Sequence, residues 1–233
     1  MTKIKLFADG ADKASIIEMN NNPNIYGFTT NPTLMRKAGV NDYSSFALDI
    51  LKFVRKKPIS FEVFADDFSE MEKQALKIAD WGGNVYVKIP VMNTKMEPSY
   101  DLIRKLSSKG VKLNITAMMT LEQVKKVAKA VEQSPSCFVS VFAGRIADTG
   151  VDPIPVMQKA LELLKNSPNA ELLWASPREV LNVYQAEAIG CHIITATNDI
   201  LKKLNLEGKD LTDFSQETVQ MFFNDALAAG YKI

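Results

Sequence analysis

Short runs of apolar and β-branched residues recur along the whole chain, and the longer stretches between them repeat apolar residues with a helical period. Eight runs are present, and the polar residues that close them lie 19 to 36 residues apart. A strand, a crossover helix and two loops need roughly 25–30 residues, so this rhythm is typical of repeated βα units. The predicted strands are residues 4–8, 25–29, 59–64, 85–89, 111–115, 137–142, 171–175 and 192–195.

The helical period is clearest in four of the intervening stretches. They are residues 68–79, 121–131, 156–164 and 180–188. Thr120 is the predicted N-cap of the second stretch, and Gln123 stands three residues later, at the capping-box position. The fourth stretch ends at Gly190, which suits a helix C-terminus.

Eight βα units in about 195 residues predict a (β/α)8 barrel near the small end of that fold's size range. The alternative is a doubly wound open sheet. Its phosphate-binding fingerprint, G-x-G-x-x-G, is missing from the first loop, so the barrel is favoured. We expect residues 1–233 to form a single barrel domain. Residues 214–229 form an extra amphipathic helix, which is expected to cover the barrel or dock on a neighbouring subunit.

Composition and charge exclude several functional classes. The chain has 28 Lys and Arg against 27 Asp and Glu, so its net charge of +1 gives no support for binding nucleic acid or an anionic membrane. Two cysteines and one histidine do not make a zinc cluster or a disulfide framework. No run of 18 apolar residues occurs, and the N-terminus lacks the apolar stretch of a signal peptide. We therefore expect a cytoplasmic protein with no membrane span.

Lys88 is the first candidate for chemistry, because it lies inside an otherwise apolar strand. A lysine on an edge strand can reach solvent, which is the alternative interpretation, but a closed barrel has no edge. Burial favours the neutral amine of a lysine. A neutral amine attacks a carbonyl and forms a Schiff base, which serves as an electron sink for breaking a C–C bond.

Two predicted strands of the barrel end in a carboxylate. Asp9 ends the first strand and Glu62 the third, at the edge where barrel active sites lie. Two carboxylates around a lysine can divide the proton transfers that Schiff-base chemistry needs. Helix N-capping is the other interpretation of each acid. Thr33 and Thr116 are likewise predicted either to cap the following helix or to hold a water molecule.

Two arginines follow the sixth and seventh strands, where barrels often bind phosphate. They are Arg145 and Arg178, with Ser176 beside the second. Each arginine could instead pair with a surface acid. Two converging guanidinium groups favour a phosphorylated substrate.

These residues stand in motifs that occur in the order of one family. The chain resembles the transaldolases, especially the short subfamily that includes the fructose-6-phosphate aldolases, over roughly residues 4–200. The motifs are Phe7-Ala8-Asp9, Gly27-Phe28-Thr29-Thr30-Asn31-Pro32-Thr33, Glu62-Val63, Val87-Lys88-Ile89-Pro90, Asn114-Ile115-Thr116, Ser140-Val141-Phe142-Ala143-Gly144-Arg145-Ile146-Ala147-Asp148 and Ala175-Ser176-Pro177-Arg178.

The resemblance implies a role for each candidate. Lys88 is expected to be the Schiff-base nucleophile, and Asp9 the acid and base at the hydroxyl next to the scissile bond. Glu62 and Thr116 would hold the water that relays protons. The implied substrate-binding residues are Asn31, Thr33, Asn114, Ser140 and Phe142 around the sugar and Arg145, Ser176 and Arg178 around the phosphate. No metal or organic cofactor is implied, because the lysine itself supplies the electron sink.

Two positions separate transferases from aldolases within this resemblance. Similar aldolases carry Gln where Glu62 stands and Tyr where Phe142 stands. A carboxylate drives proton relay, and a phenyl ring cannot hydrogen-bond the water used for simple release. The sequence therefore favours a transaldolase of the pentose phosphate pathway, which moves a dihydroxyacetone unit from fructose 6-phosphate to erythrose 4-phosphate. The alternatives are an aldolase-like lyase that releases free dihydroxyacetone and a non-catalytic phosphosugar-binding barrel.

Two further expectations come from the same resemblance. Pro177 stands where an aromatic or apolar residue is usual, so it is expected to shift Arg178 and alter phosphate binding. Members of the short subfamily form pentamer-based rings, so a homo-oligomer, a pentamer or a decamer, is expected here.

Overall fold

The computed structural model describes residues 3–132 and 134–233. Eight parallel strands close into a barrel in the order of the chain, and the eighth pairs with the first. The strands are β1 (Lys5–Asp9), β2 (Ile25–Thr29), β3 (Ile59–Glu62), β4 (Val85–Pro90), β5 (Leu113–Met118), β6 (Cys137–Val141), β7 (Ala170–Trp174) and β8 (Ile193–Thr197). The predicted (β/α)8 barrel is confirmed, with every strand end within three residues of its expected place. The open-sheet alternative is wrong.

Helices connect the strands and follow β8. In the described part of the chain they are α1 (Lys13–Asn21), α2 (Pro32–Lys37), α3 (Tyr43–Leu51), α4 (Phe68–Ala79), α5 (Tyr100–Ser108), α6 (Leu121–Ala130), α7 (Ala143–Ala147), α8 (Pro153–Leu164), α9 (Leu181–Ala188), α10 (Asn198–Lys203) and α11 (Leu211–Ala229). The predicted capping box is confirmed, since Thr120 and Gln123 each accept a hydrogen bond from the other's backbone N–H. Sequence periodicity did not predict that two helices, α2 and α3, separate β2 from β3.

The barrel interior is layered, and this layering positions the polar residues. One layer is apolar and contains Phe7, Tyr86, Phe138, Leu173 and Ile193. The Tyr86 and Phe138 rings stack with centroids 4.1 Å apart, and Phe7 meets Phe138 edge-on. Side chains two positions apart in a strand share a face, so Asp9 follows Phe7 and Lys88 follows Tyr86 in the next layer. Asp9 and Lys88 thus lie in the layer next to the packed aromatic rings.

The chain has two compact units. The barrel unit ends at Leu201, and the second unit spans Lys202–Ile233. Within the second unit, α11 begins at Leu211, three residues before the predicted start, because the Asp210 carboxylate caps its first turn. Apolar side chains exposed along α11 include Val219, Phe222, Phe223 and Leu227. The docking expected for this helix stays a prediction. None of the helices among the described residues combines the length and apolar character of a membrane span.

Candidate active site

A cavity of about 440 Å³ lies at the carboxyl ends of the strands. It is lined by eleven of the twelve residues that the sequence nominated. These eleven are Asp9, Asn31, Thr33, Glu62, Lys88, Thr116, Ser140, Phe142, Arg145, Ser176 and Arg178. The closed barrel therefore gathers residues from seven of its strands and the loops that follow them.

Lys88 lies at the centre of this arrangement. The residue is 7% exposed, and β4 has a hydrogen-bonded neighbour on each side, so the edge-strand interpretation is wrong. Its Nζ donates to the Thr30 carbonyl oxygen at 2.9 Å and is 3.2 Å from Glu62 Oε2. The register explains the ion pair, because Glu62 on β3 stands directly opposite Lys88 on β4. Lys88 also lines the cavity.

Glu62 is held by its main chain as well as by its charge. The β2–β3 ladder has stopped at Thr29 and Ser60, so β2 offers no partner to Glu62. Tyr43, the first residue of α3, replaces it: Tyr43 Oη accepts from Glu62 N at 2.7 Å and donates to Glu62 O at 3.0 Å. The tyrosine ring packs edge-on against Phe64, with centroids 4.3 Å apart. The Glu62 backbone is therefore fixed by a side chain from a neighbouring helix.

Asp9 is a carboxylate in an unfavourable electrostatic setting. Burial raises its pKa above 3.8, and the charge of Glu62 raises it further, whereas the charge of Lys88 and a hydrogen bond from Thr29 lower it. The Thr29 hydroxyl donates to Asp9 Oδ1 at 2.7 Å. A carboxyl group with a raised pKa suits proton exchange.

The helix-capping interpretation is wrong for each of the four residues to which it applied: Asp9, Glu62, Thr33 and Thr116. Asp12 caps α1 and Asp67 caps α4, so neither Asp9 nor Glu62 is the cap of the helix that follows it. Asn31 caps α2 by accepting from Leu34 N at 2.9 Å, and Thr33 is an exposed residue of the same helix. Thr120, not the threonine of β5, caps α6.

The threonine of β5 has an unusual environment. The Thr116 hydroxyl is buried and has no hydrogen-bond partner among the described residues, although the residue lines the cavity. Next to it, Ala117 has a φ of 63°, and the β5–β6 register shifts between Ile115 and Met118. Bulges of this kind re-aim side chains near functional sites. An unpaired hydroxyl facing a cavity is ready to bind a ligand or a water molecule.

Asn114 is the one nominated residue that does not line this cavity. Its Nδ2 donates to Ser60 Oγ at 2.9 Å, and its Oδ1 accepts from Ser140 Oγ at 2.6 Å. All three side chains are buried. Asn114 therefore orients Ser140, which does reach the cavity.

The two arginines meet different partners. Arg145, on the short helix α7, lies 5.9 Å from the Phe142 ring centroid. Arg178 forms a two-pronged ion pair through Nε and Nη2 with the Asp148 carboxylate, so the surface-pair interpretation holds for Arg178. Arg178 also lines the cavity. The expected effect of Pro177 on phosphate binding stays a prediction. In this pair, the Nη1 group of Arg178 is left free of Asp148.

A close backbone contact joins the two arginine-bearing loops. A Cβ atom on Gly144 would lie 1.5 Å from the Ser176 carbonyl oxygen. Ser176 itself has a φ of 58°, an uncommon conformation for a non-glycine residue. Gly144 precedes Arg145, and Ser176 lies two residues before Arg178, so this contact fixes how closely the two arginine-bearing segments approach.

Other nucleophiles and metal ligands contribute little here. Cys137 and Cys191 are buried, and burial raises the pKa of each thiol to about 12. Such thiols are poor nucleophiles at neutral pH. In the part of the chain that the structure describes, no three His, Cys, Asp or Glu side chains are grouped as metal ligands would be.

Several residues of the site were not nominated from the sequence. Thr29 and Thr195 line the cavity, and each is a polar residue near the end of its strand, which is a signal that could have been used. Tyr43, in α3, pairs with Glu62, and Asp148, just after α7, pairs with Arg178; no local pattern marks either residue.

Comparison with known proteins gives the same family throughout. The sequence model of the family described as "Transaldolase/Fructose-6-phosphate aldolase" matches residues 6–232. A "Probable transaldolase" of Brucella anthropi is 34% identical over 231 residues, covering 99% of this chain and 100% of that protein. Proteins of the same name from Nitrosopumilus maritimus and Dehalococcoides mccartyi are 32% and 35% identical, over 86% and 77% of this chain and 87% and 80% of their own lengths. The chain therefore belongs to the transaldolase/fructose-6-phosphate aldolase family.

Proposed function

We propose that this protein is a transaldolase that uses Lys88 to transfer a dihydroxyacetone unit between phosphorylated sugars. The donor is a ketose phosphate such as fructose 6-phosphate, and the acceptor is an aldose phosphate such as erythrose 4-phosphate. The single observation that carries the proposal is the buried Lys88 amine, which faces the cavity 3.2 Å from the Glu62 carboxylate. A buried lysine beside a carboxylate is suited to imine chemistry.

The first half-reaction begins at the donor ketone. Lys88 first passes a proton to Glu62 through water, and the freed amine attacks C2. The carbinolamine then takes a proton back and loses water to form a protonated imine. Glu62 and the unpaired Thr116 hydroxyl are suited to hold the water that carries these protons. Asp9 then removes the proton from the C4 hydroxyl as the C3–C4 bond breaks. The bonding electrons move to the imine nitrogen, which leaves an enamine on Lys88 and releases an aldose phosphate.

The second half-reaction runs the same steps backwards with another aldehyde. The enamine carbon attacks the acceptor carbonyl, and the new alkoxide takes its proton from Asp9. Water adds to the imine, the C–N bond breaks, and the product ketose leaves a free Lys88 amine. Electrons and protons balance over the cycle, and the lysine is the only electron sink required.

Two side chains favour transfer over simple release. Phe142 lines the cavity and cannot hydrogen-bond a water molecule that would protonate the enamine. Glu62 supplies a carboxylate for proton relay. Arg145 and Arg178 are suited to bind the substrate phosphate at the mouth, since guanidinium groups match its geometry.

Borohydride trapping tests the mechanism. Reduction in the presence of fructose 6-phosphate should add a three-carbon mass to Lys88, identified by peptide mass spectrometry. The Lys88→Met variant should take up no adduct and lose turnover. Lys57→Met is the matched control. Lys57 donates to the Asn20 and Asn22 carbonyl oxygens and does not line the cavity, so this variant should be labelled like the wild type. An unmodified Lys88 alongside undiminished turnover would refute the proposal.

An assay with and without acceptor separates the three candidate functions. A transaldolase consumes fructose 6-phosphate much faster when erythrose 4-phosphate is present. A lyase releases free dihydroxyacetone at the same rate without it. Saturable binding of the sugar phosphate with no turnover under either condition would favour a non-catalytic barrel.

A further inference from the structure

Two threonine hydroxyls lie behind Asp9, on the strands that flank β1. Thr29 closes β2 and Thr195 belongs to β8, and both residues are buried. The Thr29 hydroxyl lies 2.7 Å from Asp9 Oδ1 and 2.6 Å from the Thr195 hydroxyl. The three side chains thus form a continuous hydrogen-bonded chain inside the barrel.

Counting hydrogens determines the direction of this chain. An ionised carboxylate only accepts, so Thr29 gives its single hydroxyl hydrogen to Asp9. The hydrogen between the two threonines must then come from Thr195. When Asp9 Oδ1 carries a proton, the direction reverses, and Thr29 donates to Thr195 instead. The threonine pair therefore offers Asp9 a partner in both protonation states.

The pair matters because the rest of the surroundings disfavour the Asp9 anion. Burial raises the pKa of Asp9 and Glu62 adds to that effect, while Lys88 opposes it. Arg178 and Asp199 line a neighbouring cavity of about 310 Å³ together with Asp9 and Thr195, and Arg145 lines the main cavity with Arg178. Among the uncharged groups, the Thr29 hydroxyl lowers the pKa of Asp9, and a hydroxyl that itself accepts a hydrogen bond becomes a stronger donor.

The geometry points to Thr195 as a positioning residue for the reaction: it holds the Thr29 hydroxyl on Asp9 and so orients the carboxylate that exchanges a proton with the substrate. This inference rests on the proposed function and deepens it. Thr195 acts on the cleavage step alone, because its hydrogen-bonded chain ends at Asp9 and does not include the Lys88 amine. Imine formation should therefore survive its loss.

The test compares Thr195→Val, which removes the hydroxyl at nearly constant shape, with Thr195→Ser, which keeps it. In Thr195→Val we expect kcat to fall about tenfold, as for the loss of one buried hydrogen bond, with KM within a factor of about two. Asp9 must be ionised to start cleavage. Without Thr195 the Thr29 hydroxyl is a weaker donor to the Asp9 anion, so the pKa of Asp9 rises and the acid limb of the kcat/KM profile moves to higher pH. Thr195→Ser should restore the wild-type profile.

Borohydride trapping supplies a second readout that a purely structural role would not move. When cleavage slows but imine formation does not, the adduct on Lys88 shifts from the three-carbon to the six-carbon mass. Thr197→Val is the matched control, because it removes a hydroxyl from the same strand that has no bond to Thr29 among the described contacts. It should leave both the acid limb and the adduct ratio unchanged.

The outcomes separate this inference from the proposed function. A wild-type acid limb and adduct ratio in a folded Thr195→Val would overturn the role of Thr195 while leaving the transaldolase intact. Should the valine variant fail to fold, Thr195→Ala carries the same expectation, and the same two readouts decide it. A wild-type enzyme that yields no adduct of either mass on Lys88 contradicts the proposed function itself.

Discussion

At the scale of single residues, Asp9 shows how the proposed chemistry competes with stability. Its folded-state pKa is raised, chiefly by burial. Because the pKa is raised, the stability that Asp9 contributes is present below its pKa in the unfolded state. This stability is lost as the pH rises through its pKa in the folded state. At neutral pH the buried carboxyl group therefore destabilises the fold.

Asp9→Asn is expected to separate these two effects. The amide keeps an oxygen for the Thr29 hydroxyl but removes the buried charge, so the melting temperature at pH 7 should rise. The same variant should lose about 100-fold or more in kcat, because amides do not exchange the proton. Thermal unfolding at pH 7 and pH 4 checks the sign, since the gain should shrink at the lower pH. A melting temperature that falls equally at both pH values contradicts this account.

Phe142 is the residue at which transfer and release are expected to diverge. Phe142→Tyr adds a hydroxyl to the cavity wall, where it can bind a water molecule near the enamine. We expect release of free dihydroxyacetone without acceptor to increase several-fold while transfer falls. The measurement is the rate of fructose 6-phosphate consumption with and without erythrose 4-phosphate. No increase in release would show that this position does not govern the outcome.

At the scale of elements, α3 completes the end of β3. Tyr43→Phe removes the only hydroxyl that pairs with both backbone groups of Glu62 among the described contacts. Buried groups left unpaired cost about 1–3 kcal/mol, and a looser Glu62 should lower kcat about tenfold with little change in KM. Tyr86→Phe is the matched control, since it breaks one buried tyrosine bond, to Ser136, outside the cavity. Equal losses of kcat in both variants would mean that Tyr43 acts only through stability.

The junction between the loops after β6 and β7 leads to another expectation at this scale. Gly144→Ala places a methyl group 1.5 Å from the Ser176 carbonyl oxygen, so the loops must separate. We expect a loss of about 1–3 kcal/mol in unfolding free energy and a higher KM for phosphorylated donors. Gly83→Ala is the control, because nothing lies within 4 Å of its new Cβ. An unchanged KM in folded Gly144→Ala would separate this contact from phosphate binding.

At the scale of the whole molecule, assembly stays a prediction, which the apolar side chains exposed on α11 support. We expect a homo-oligomer, and Phe223→Asp should reduce its mass towards that of one chain. Asn224→Asp adds the same charge at the next position and should leave the assembly intact. Light scattering after size exclusion measures both. A wild-type protein of one chain's mass would refute the expectation.

Much of the fold follows from local pattern. The eight strands and helices such as α4 and α6 were predictable because apolar period and capping residues act within a few positions of each other. The short helix α7 and the second helix between β2 and β3 were not, since their stability comes from packing against the barrel rather than from their own periodicity. The nominated residues Lys88, Glu62 and Asp9 were accessible from strand ends alone.

The sequence by itself thus determined the alternation of strands and helices, the closed barrel that this alternation favours, and the edge at which polar strand ends meet. Only the tertiary structure decided which of these groups touch. Thr29 and Thr195 are 166 positions apart and meet because β8 closes against β1. Asn114 turns towards two buried serines, and Arg178 is held by Asp148, 30 positions away. Such contacts depend on strand register and side-chain rotamers, which are set by the packing of the whole barrel and leave no trace in local periodicity.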